Sequence, residues 1–328
     1  MTTMNNYVKL LDSCSSLHVA VVGDLMLDRY LIGKVDRISP EAPVPIVDIQ
    51  DEFVLPGGAA NVLQNLAAIG CVAEPFGVVG DDVDGKKLCH ILESYGCETG
   101  GVFAVEERPT TVKTRILADA HHVVRFDHER RSDIPNNVTE QILLRLRDRI
   151  RTGEIRAVIL QDYNKGVLRS DIIKTAIQLA RAEKIPILVD PKQHRFFEYV
   201  DVTVFKPNLR EMKTALNRPI ESEMAIEEAI YHLRELLHAD YILLTRGAHG
   251  MTLCGSNEIT TIPTEARRVA DVSGAGDTVI ATMAAIMGAG GTALESARIA
   301  NCAAGIVVEE VGAVPVKLAL LRTAVQNM

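Results

Sequence analysis

Ala157-Val-Ile-Leu-Gln-Asp162 is the stretch on which the fold turns. Four consecutive apolar residues closed by two polar ones make a short run without alternation, the pattern of a strand buried on both faces. A helical segment over Asp171–Glu183 follows, and then a second run of the same kind, Pro186-Ile-Leu-Val-Asp190. The rhythm continues through Thr203-Val-Phe-Lys-Pro-Asn208, helices over Asn208–His238, and Tyr241-Ile-Leu-Leu-Thr245. Near the start of the chain His18-Val-Ala-Val-Val-Gly23 reads the same way. Strands alternating with helices predict an α/β protein with a mostly parallel central sheet covered on both faces.

Two segments break this rhythm. Tyr30–Leu55 holds Pro40, Pro43 and Pro45 among alternating apolar residues, and Thr110–Asp127 is rich in β-branched residues. Such residues suit exposed or edge strands. Both are expected in one small β-sheet projecting from the main body as a lid. Between them, Gly57–Gly58 opens a helical pattern closed by Gly70, a strand spans Cys71–Gly80, and a helix runs from about Asp82 to Tyr95. A long amphipathic helix covers about Val138–Arg151. Met251–Gly255 and Glu258–Pro263 read as a hairpin, and the tail as helices over Asp277–Met287, Thr292–Glu309 and Pro315–Val325. With no linker or repeat, residues 1–328 are expected to form one domain.

Basic residues number 35 and acidic ones 43, a net charge of −8 that argues against general affinity for nucleic acid or anionic membrane. At 47% apolar and 24% charged residues the chain is not disordered. None of the six cysteines forms a C-x-x-C pair or a zinc-like cluster with histidine, so reduced thiols in the cytoplasm are expected. No apolar run has the length of a signal peptide or a membrane span.

Chemistry concentrates in Asp271-Val-Ser-Gly-Ala-Gly-Asp-Thr278. Gly274, Ala275 and Gly276 lead into a helix, where small residues let an anion approach the free N–H groups of the first turn. Asp277 can be an N-cap there or a general base beside an anion site. Asn208 and Glu211 have the spacing of a capping box. Asp24 and Asp28 follow the first strand at the end where α/β proteins bind ligands, and Asp28 is the better candidate for a ligand contact. Asn61 offers a donor and an acceptor. Lys113 and Arg115 lie two apart on a strand and share a face, while Lys165 and Lys192 follow strand ends, so these four could bind an anion. The near P-loop Gly80–Lys87 lacks the final Ser/Thr and carries three aspartates, so a turn entering a helix is expected. His121 and His122, adjacent on a strand, point to opposite faces.

The Asp271–Thr278 segment resembles the D-T-x-G-A-G-D signature of the ribokinase-like, phosphofructokinase B-type sugar kinases, with Val272 in place of threonine. Gly57-Gly58-Ala-Ala-Asn61 resembles that family's G-G-x-x-N signature, Asn208-Leu-Arg-Glu211 its N-x-x-E magnesium motif, and Thr245-Arg-Gly-Ala-His-Gly250 its nucleotide-binding turn. The four occur in the family's order. The resemblance implies a three-layer ribokinase-like fold with ATP and Mg²⁺ as cofactors, a monovalent cation being an open requirement. It implies Asp277 as the base and the Gly274, Ala275 and Gly276 amides as an anion hole. It further implies nucleotide contacts from Thr245, Arg246, Gly247, Gly250 and Asn301, and magnesium held through water by Asn208 and Glu211.

A narrower resemblance lies in Gly23–Asp28, Gly33–Pro45, Thr111-Val-Lys-Thr-Arg115 and Gln161-Asp-Tyr-Asn-Lys-Gly166, which look like motifs of the D-glycero-D-manno-heptose 7-phosphate kinases. His121-His122 stands where those enzymes often have two glutamines, and Asn164 where they often have glycine. This implies substrate contacts from Asp24, Asp28, Gly57, Gly58, Asn61, Lys113, Arg115, Asp162, Lys165 and Lys192. The expected reaction is phosphorylation of the anomeric hydroxyl. With its end at Met328 the chain is expected to be the single-function kinase, without the nucleotidyltransferase of two-domain relatives. Alternatives are another sugar or nucleoside kinase of the family, or a non-catalytic sensor. Isolated small sheets usually have a covered apolar face, so a homodimer paired through the lid is expected, with Val44, Ile46, Val47 and Val54 supplying apolar surface.

Overall fold

Runs of valine, isoleucine and leucine become strands wherever both their faces are covered, and this governs most of the chain. The computed structural model describes residues 2–118, 121–256, 258–266, 268–310 and 312–328, with residues 2–5 as backbone alone. Helix α1 (Thr2–Asp12) precedes β1 (His18–Gly23), β2 (Leu25–Ile38), β3 (Pro45–Gly58), α2 (Ala59–Ile69), β4 (Val72–Gly80), α3 (Val83–Ser94) and β5 (Gly101–Val105). Then come β6 (Thr111–Ala118), β7 (His121–His128), α4 (Asn136–Arg151), β8 (Ile155–Gln161), α5 (Ser170–Ala182), β9 (Ile187–Asp190) and β10 (Val204–Phe205). The remainder is α6 (Leu209–Leu216), α7 (Glu223–Leu237), β11 (Tyr241–Thr245), β12 (Met251–Cys254), β13 (Ile259–Ile262), α8 (Ala275–Gly288), α9 (Ala293–Val307) and α10 (Leu318–Gln326).

The large sheet has the order β13-β12-β11-β10-β9-β8-β1-β4-β5. It is parallel from β11 to β5 and ends in the antiparallel hairpin β12–β13. Alternate strand residues feed two cores. Val19, Val21, Ala157, Ile159, Leu188, Val204 and Leu243 pack with α1, α2, α8, α9 and α10. Ala20, Val22, Val158, Leu160, Ile187, Val189, Ile242 and Leu244 pack with α4, α5 and α7. The result is a three-layer α/β/α body, as the strand–helix alternation predicts. Among the described residues no helix is long and apolar enough to cross a membrane.

The second sheet has the order β3-β2-β6-β7. Strands β2 and β3 pair antiparallel from Leu25↔Gly58 to Ile38↔Pro45, and β6 joins β2 in parallel. The predicted lid segments lie in this sheet, but its strands begin nearer the body: Gly57–Gly58 ends β3, and Gly58 is at the same time the N-cap of α2, which closes at Gly70 as expected. Residues 119 and 120 of the second lid segment lie outside the described residues. Asp82 caps α3 by accepting from the Gly85 N–H, so the P-loop-like stretch is a turn into a helix. His121 and His122 are both exposed at the start of β7. Two elements lie outside the sequence reading. Helix α1 is short, and Tyr7, Leu10 and Leu11 make one buried stripe on a polar segment. Strand β5 has only five residues at the sheet edge.

Candidate active site

Strands β8, β9 and β10 each carry a polar side chain two residues beyond a core position on the α8 face. Ile159 is followed by Gln161, Leu188 by Asp190, and Val204 by Lys206. Because strand side chains alternate, all three polar groups emerge on the side where α8 begins. Gly274 precedes α8 with φ 78°, in the left-handed region that favours glycine, and a Cβ there would meet Asn61 Nδ2 at 2.8 Å. Ala275 and Gly276 form the first turn, and Asp277 sits third in the helix, only 5% exposed. The cap position thus belongs to Gly274, which frees the Asp277 carboxylate from a capping role.

Three donors converge on that carboxylate. Asn61 Nδ2 donates to Oδ2 at 2.7 Å, while Gln161 Nε2 and the Tyr163 hydroxyl donate to Oδ1 at 3.0 and 2.9 Å. Burial, and secondarily the charge of Asp190, push the Asp277 carboxyl up to about 6 against the pull of these hydrogen bonds. Lys206 Nζ lies 3.1 Å from Asp190 and offsets part of that charge. Asn61 is itself held by Asn65, whose Oδ1 accepts from the Thr278 hydroxyl.

Asp277, Gly274 and Tyr163 lie at the neck between two cavities. The larger, about 520 Å³, is lined by Asp190, Lys192, Lys206, Asn208, Thr245, Gly247, Gly250, Ala275, Gly276 and Asn301. Its wall includes Val269 and Val272, 60% and 68% exposed, an apolar surface for a flat ring. Asn208 and Glu211 do form the capping box: Asn208 Oδ1 accepts from the Glu211 N–H at 2.8 Å, and Glu211 Oε2 accepts from the Asn208 N–H at 2.9 Å. Glu211 Oε1 meets Lys192 Nζ at 2.5 Å. Arg246, in contrast, turns away to Glu223 and Thr252.

The smaller cavity, about 240 Å³, lies under the small sheet and is lined by Asp28, Tyr30, Gly57, Gly58, Asn61, Lys113, Arg115 and Arg125. Gly57 is required by closeness, since a Cβ there would meet Asp28 Oδ2 at 2.5 Å. The basic groups are matched by carboxylates: Arg115 pairs with Asp28 at 2.5 Å, Lys113 with Asp127 at 3.0 Å, and Arg125 with Asp127 at 3.0 Å.

Four expected substrate residues lie outside the smaller cavity. Asp24 is buried with its carboxylate accepting the N–H groups of Tyr163, Lys165 and Val167. Burial, then the charge of Asp162, push it up to about 6. Asp162 faces away from the neck and accepts from the Tyr199 hydroxyl and the Asn164 N–H. Lys165 is tied to Glu129 at 2.8 Å. Lys192 lines the larger cavity, not the smaller one. Conversely, Gln161, Tyr163, Asp190, Lys206, Tyr30 and Arg125 were not singled out. For Gln161 and Tyr163 a signal existed: their place in alternation with Ile159 puts them, and not Asp162, on the α8 side.

Comparison with known proteins places this geometry. The pfkB family carbohydrate kinase profile matches residues 16–318. A protein of Trichlorobacter lovleyi named Bifunctional protein HldE is 40% identical over 304 residues, covering 92% of this chain and 62% of its own length. Its namesake in Paramagnetospirillum magneticum is 39% identical over 314 residues, covering 95% and 64%. The chain therefore spans less than two thirds of these relatives. Among solved structures, the ribokinase of Arabidopsis thaliana complexed with ribose and ATP superposes with a TM-score of 0.73 at 20% identity, over 94% of this chain and 99% of that one. The phosphofructokinase-2 of Escherichia coli in complex with potassium gives 0.78 at 16% identity, over 95% and 99%. At these identities the two structures show a shared ribokinase-like fold. The family match shows the activity class, a phosphotransferase acting on a sugar hydroxyl, and the relatives' identity agrees with one lineage: this chain belongs to the pfkB family of carbohydrate kinases.

Proposed function

We propose that this kinase transfers the γ-phosphoryl group of ATP to the anomeric hydroxyl of D-glycero-D-manno-heptose 7-phosphate, giving the 1,7-bisphosphate for nucleotide-activated heptose and lipopolysaccharide synthesis. The observation that carries the reading is Asp277 at the neck shared by two cavities. A nucleotide in the larger one and a sugar in the smaller one would meet only there. Asp277 takes the proton of the attacking hydroxyl, and the amides of the Gly274–Asp277 turn receive the charge that develops on the transferred group. Phosphoryl transfer asks the protein mainly for alignment and charge neutralisation. Asn208 lines the nucleotide cavity, and Glu211, which closes the capping box with it and accepts from Lys192, stands behind it, so this pair would hold a magnesium ion only through water. Among the described residues no three His, Cys, Asp or Glu side chains converge as a cage for it. Bound there, the ion would neutralise phosphate charge. Turnover is expected to rise with potassium, the ion named with the phosphofructokinase-2 neighbour.

The phosphorylated substrate is supported by the basic lining of the smaller cavity, Lys113, Arg115 and Arg125, in a chain of net charge −8 that otherwise repels anions. Their carboxylate partners would exchange places with a sugar phosphate. Lys113→Ala and Arg115→Ala should each raise KM for the sugar phosphate about tenfold or more while KM for ATP changes little. Equal losses on phosphorylated and unphosphorylated heptose would remove this reading and leave a simple sugar kinase. The same proposal includes a cytoplasmic homodimer paired through the small sheet.

A further inference from the structure

We propose that Tyr163 is a positioning residue for the phosphoryl transfer: its phenol, donating to Asp277, keeps that carboxylate ionised and aimed at the neck between the two cavities. The inference rests on Asp277 serving as the base and deepens that reading.

An ionised carboxylate has about four acceptor positions. Gln161 and Tyr163 fill those of Oδ1, and Asn61 takes one on Oδ2. The position left is on Oδ2, which is therefore the oxygen for the acceptor hydroxyl. The three donors are not equivalent. Gln161 shares its amide with Asp190 at 3.2 Å, and the Asn61 side chain accepts from Asn65 Nδ2 through its Oδ1 at 3.4 Å. Tyr163 is the donor that lines both cavities.

The loop that carries it is pinned hard. The buried Asp24 carboxylate collects the N–H groups of Tyr163, Lys165 and Val167, and Arg108 donates to the Lys165 carbonyl. Asn164 sits at φ 54°, in the left-handed region, with its N–H on Asp162. Gly166, at φ 88°, leaves no room for a side chain, since a Cβ would meet the Ser132 carbonyl oxygen at 2.1 Å. A buried carboxylate is costly, and here its three backbone bonds fix the residue that touches the base. This gives Asp24 a task other than binding sugar.

The charged surroundings fix the sign. Burial, then the charge of Asp277, raise the Tyr163 phenol well above its ordinary range, so it stays a donor throughout the working pH range. Lys192 Nζ lies 5.4 Å from the centre of its ring. Asp190 from β9 opposes ionisation of Asp277, Lys206 beyond β10 favours it, and the phenol adds to the favouring side.

The test is Tyr163→Phe, which keeps the ring and its contact with Lys192. The Asp277 carboxyl is titrated in the ligand-free protein by carbon NMR of labelled aspartate, assigned by its disappearance in Asp277→Asn. In parallel the pH profile of kcat/KM is recorded with ATP and the heptose phosphate. Loss of one hydrogen bond to the charged form should raise the midpoint by about one pH unit. The same shift should appear in the acidic limb, with a loss of about fivefold to tenfold near pH 6 that is largely recovered at pH 8. An unchanged midpoint, or a rate lost by one factor at every pH, would overturn the role. Because the titration needs no substrate, a raised midpoint in a protein that phosphorylates no sugar would uphold the hold of Tyr163 on the carboxylate and instead remove the kinase reading.

Discussion

At Asp277 burial and ionisation oppose one another, and the proposed role as base needs the ionised form. Its carboxyl sits near 6 in the folded protein, above the ordinary carboxylate value of about 3.9, so folding binds a proton there. The stabilising contribution is complete below about pH 4 and is lost as the pH rises through 6. Asp277→Asn should therefore melt no lower than the native chain at pH 8, and up to about 3 kcal/mol more stably, with the advantage shrinking toward pH 4. In the same variant turnover should fall by about 10²–10⁴-fold, because an amide cannot take the hydroxyl proton. For the native enzyme, kcat/KM should drop about tenfold per pH unit below 6, the limb of a base that must be ionised. Near-normal kcat in Asp277→Asn would refute the assignment. Of the residues named from sequence, Asp277, Gly274, Asn61, Asp28, Lys113 and Arg115 line the cavities at the neck, because small residues at a helix start and charged residues two apart on a strand leave a pattern. Asp162 and Lys165 come from a motif in which Gln161 and Tyr163 are the residues that touch Asp277. The difference is one step in strand alternation, which the apolar run before it already defines.

The parallel strands were legible as elements because a strand buried on both faces has few polar residues to confuse its signal. Ala157–Leu160 and Ile187–Val189 are such runs, and each feeds both cores. The small sheet was harder. Its 14-residue strands β2 and β3 mix charged and apolar residues, β3 with two prolines as well, and the inner end of β3 continues into buried glycines at Gly57–Gly58. Helix α6 shows how one residue can serve an element and a site. Asn208 caps it, so Asn208→Ala should cost about 1 kcal/mol in denaturant unfolding. Asn208→Ser keeps a capping oxygen and should cost only a few tenths of a kcal/mol. If Asn208 also shapes the magnesium shell, the serine variant will raise KM for magnesium–ATP severalfold at unchanged stability. An unaltered KM would confine Asn208 to capping.

Over the whole molecule, the small sheet gathers several exposed apolar residues: Ile38, Val44, Ile49, Phe53, Val124 and Phe126 are each at least 39% accessible. Of the residues expected to supply that surface, Val44 is exposed, Ile46 and Val47 are half-buried, and Val54 packs onto the main core. Two such sheets facing one another would cover this surface. Light scattering at micromolar concentration should return the mass of a dimer, and Val124→Glu combined with Phe126→Glu should return a monomer. A monomeric native chain would remove the pairing and leave a sheet that serves only its own site. The central claim concerns chemistry at the neck between the cavities, and one assay addresses it most directly. Initial rates of ADP release are measured with magnesium–ATP and D-glycero-D-manno-heptose 7-phosphate, beside the unphosphorylated heptose and a panel of other sugars and sugar phosphates. The account predicts rapid, Asp277-dependent release with the heptose 7-phosphate and little with the unphosphorylated sugar. Release that is absent with every sugar phosphate, or equal with and without the substrate phosphate, would contradict it.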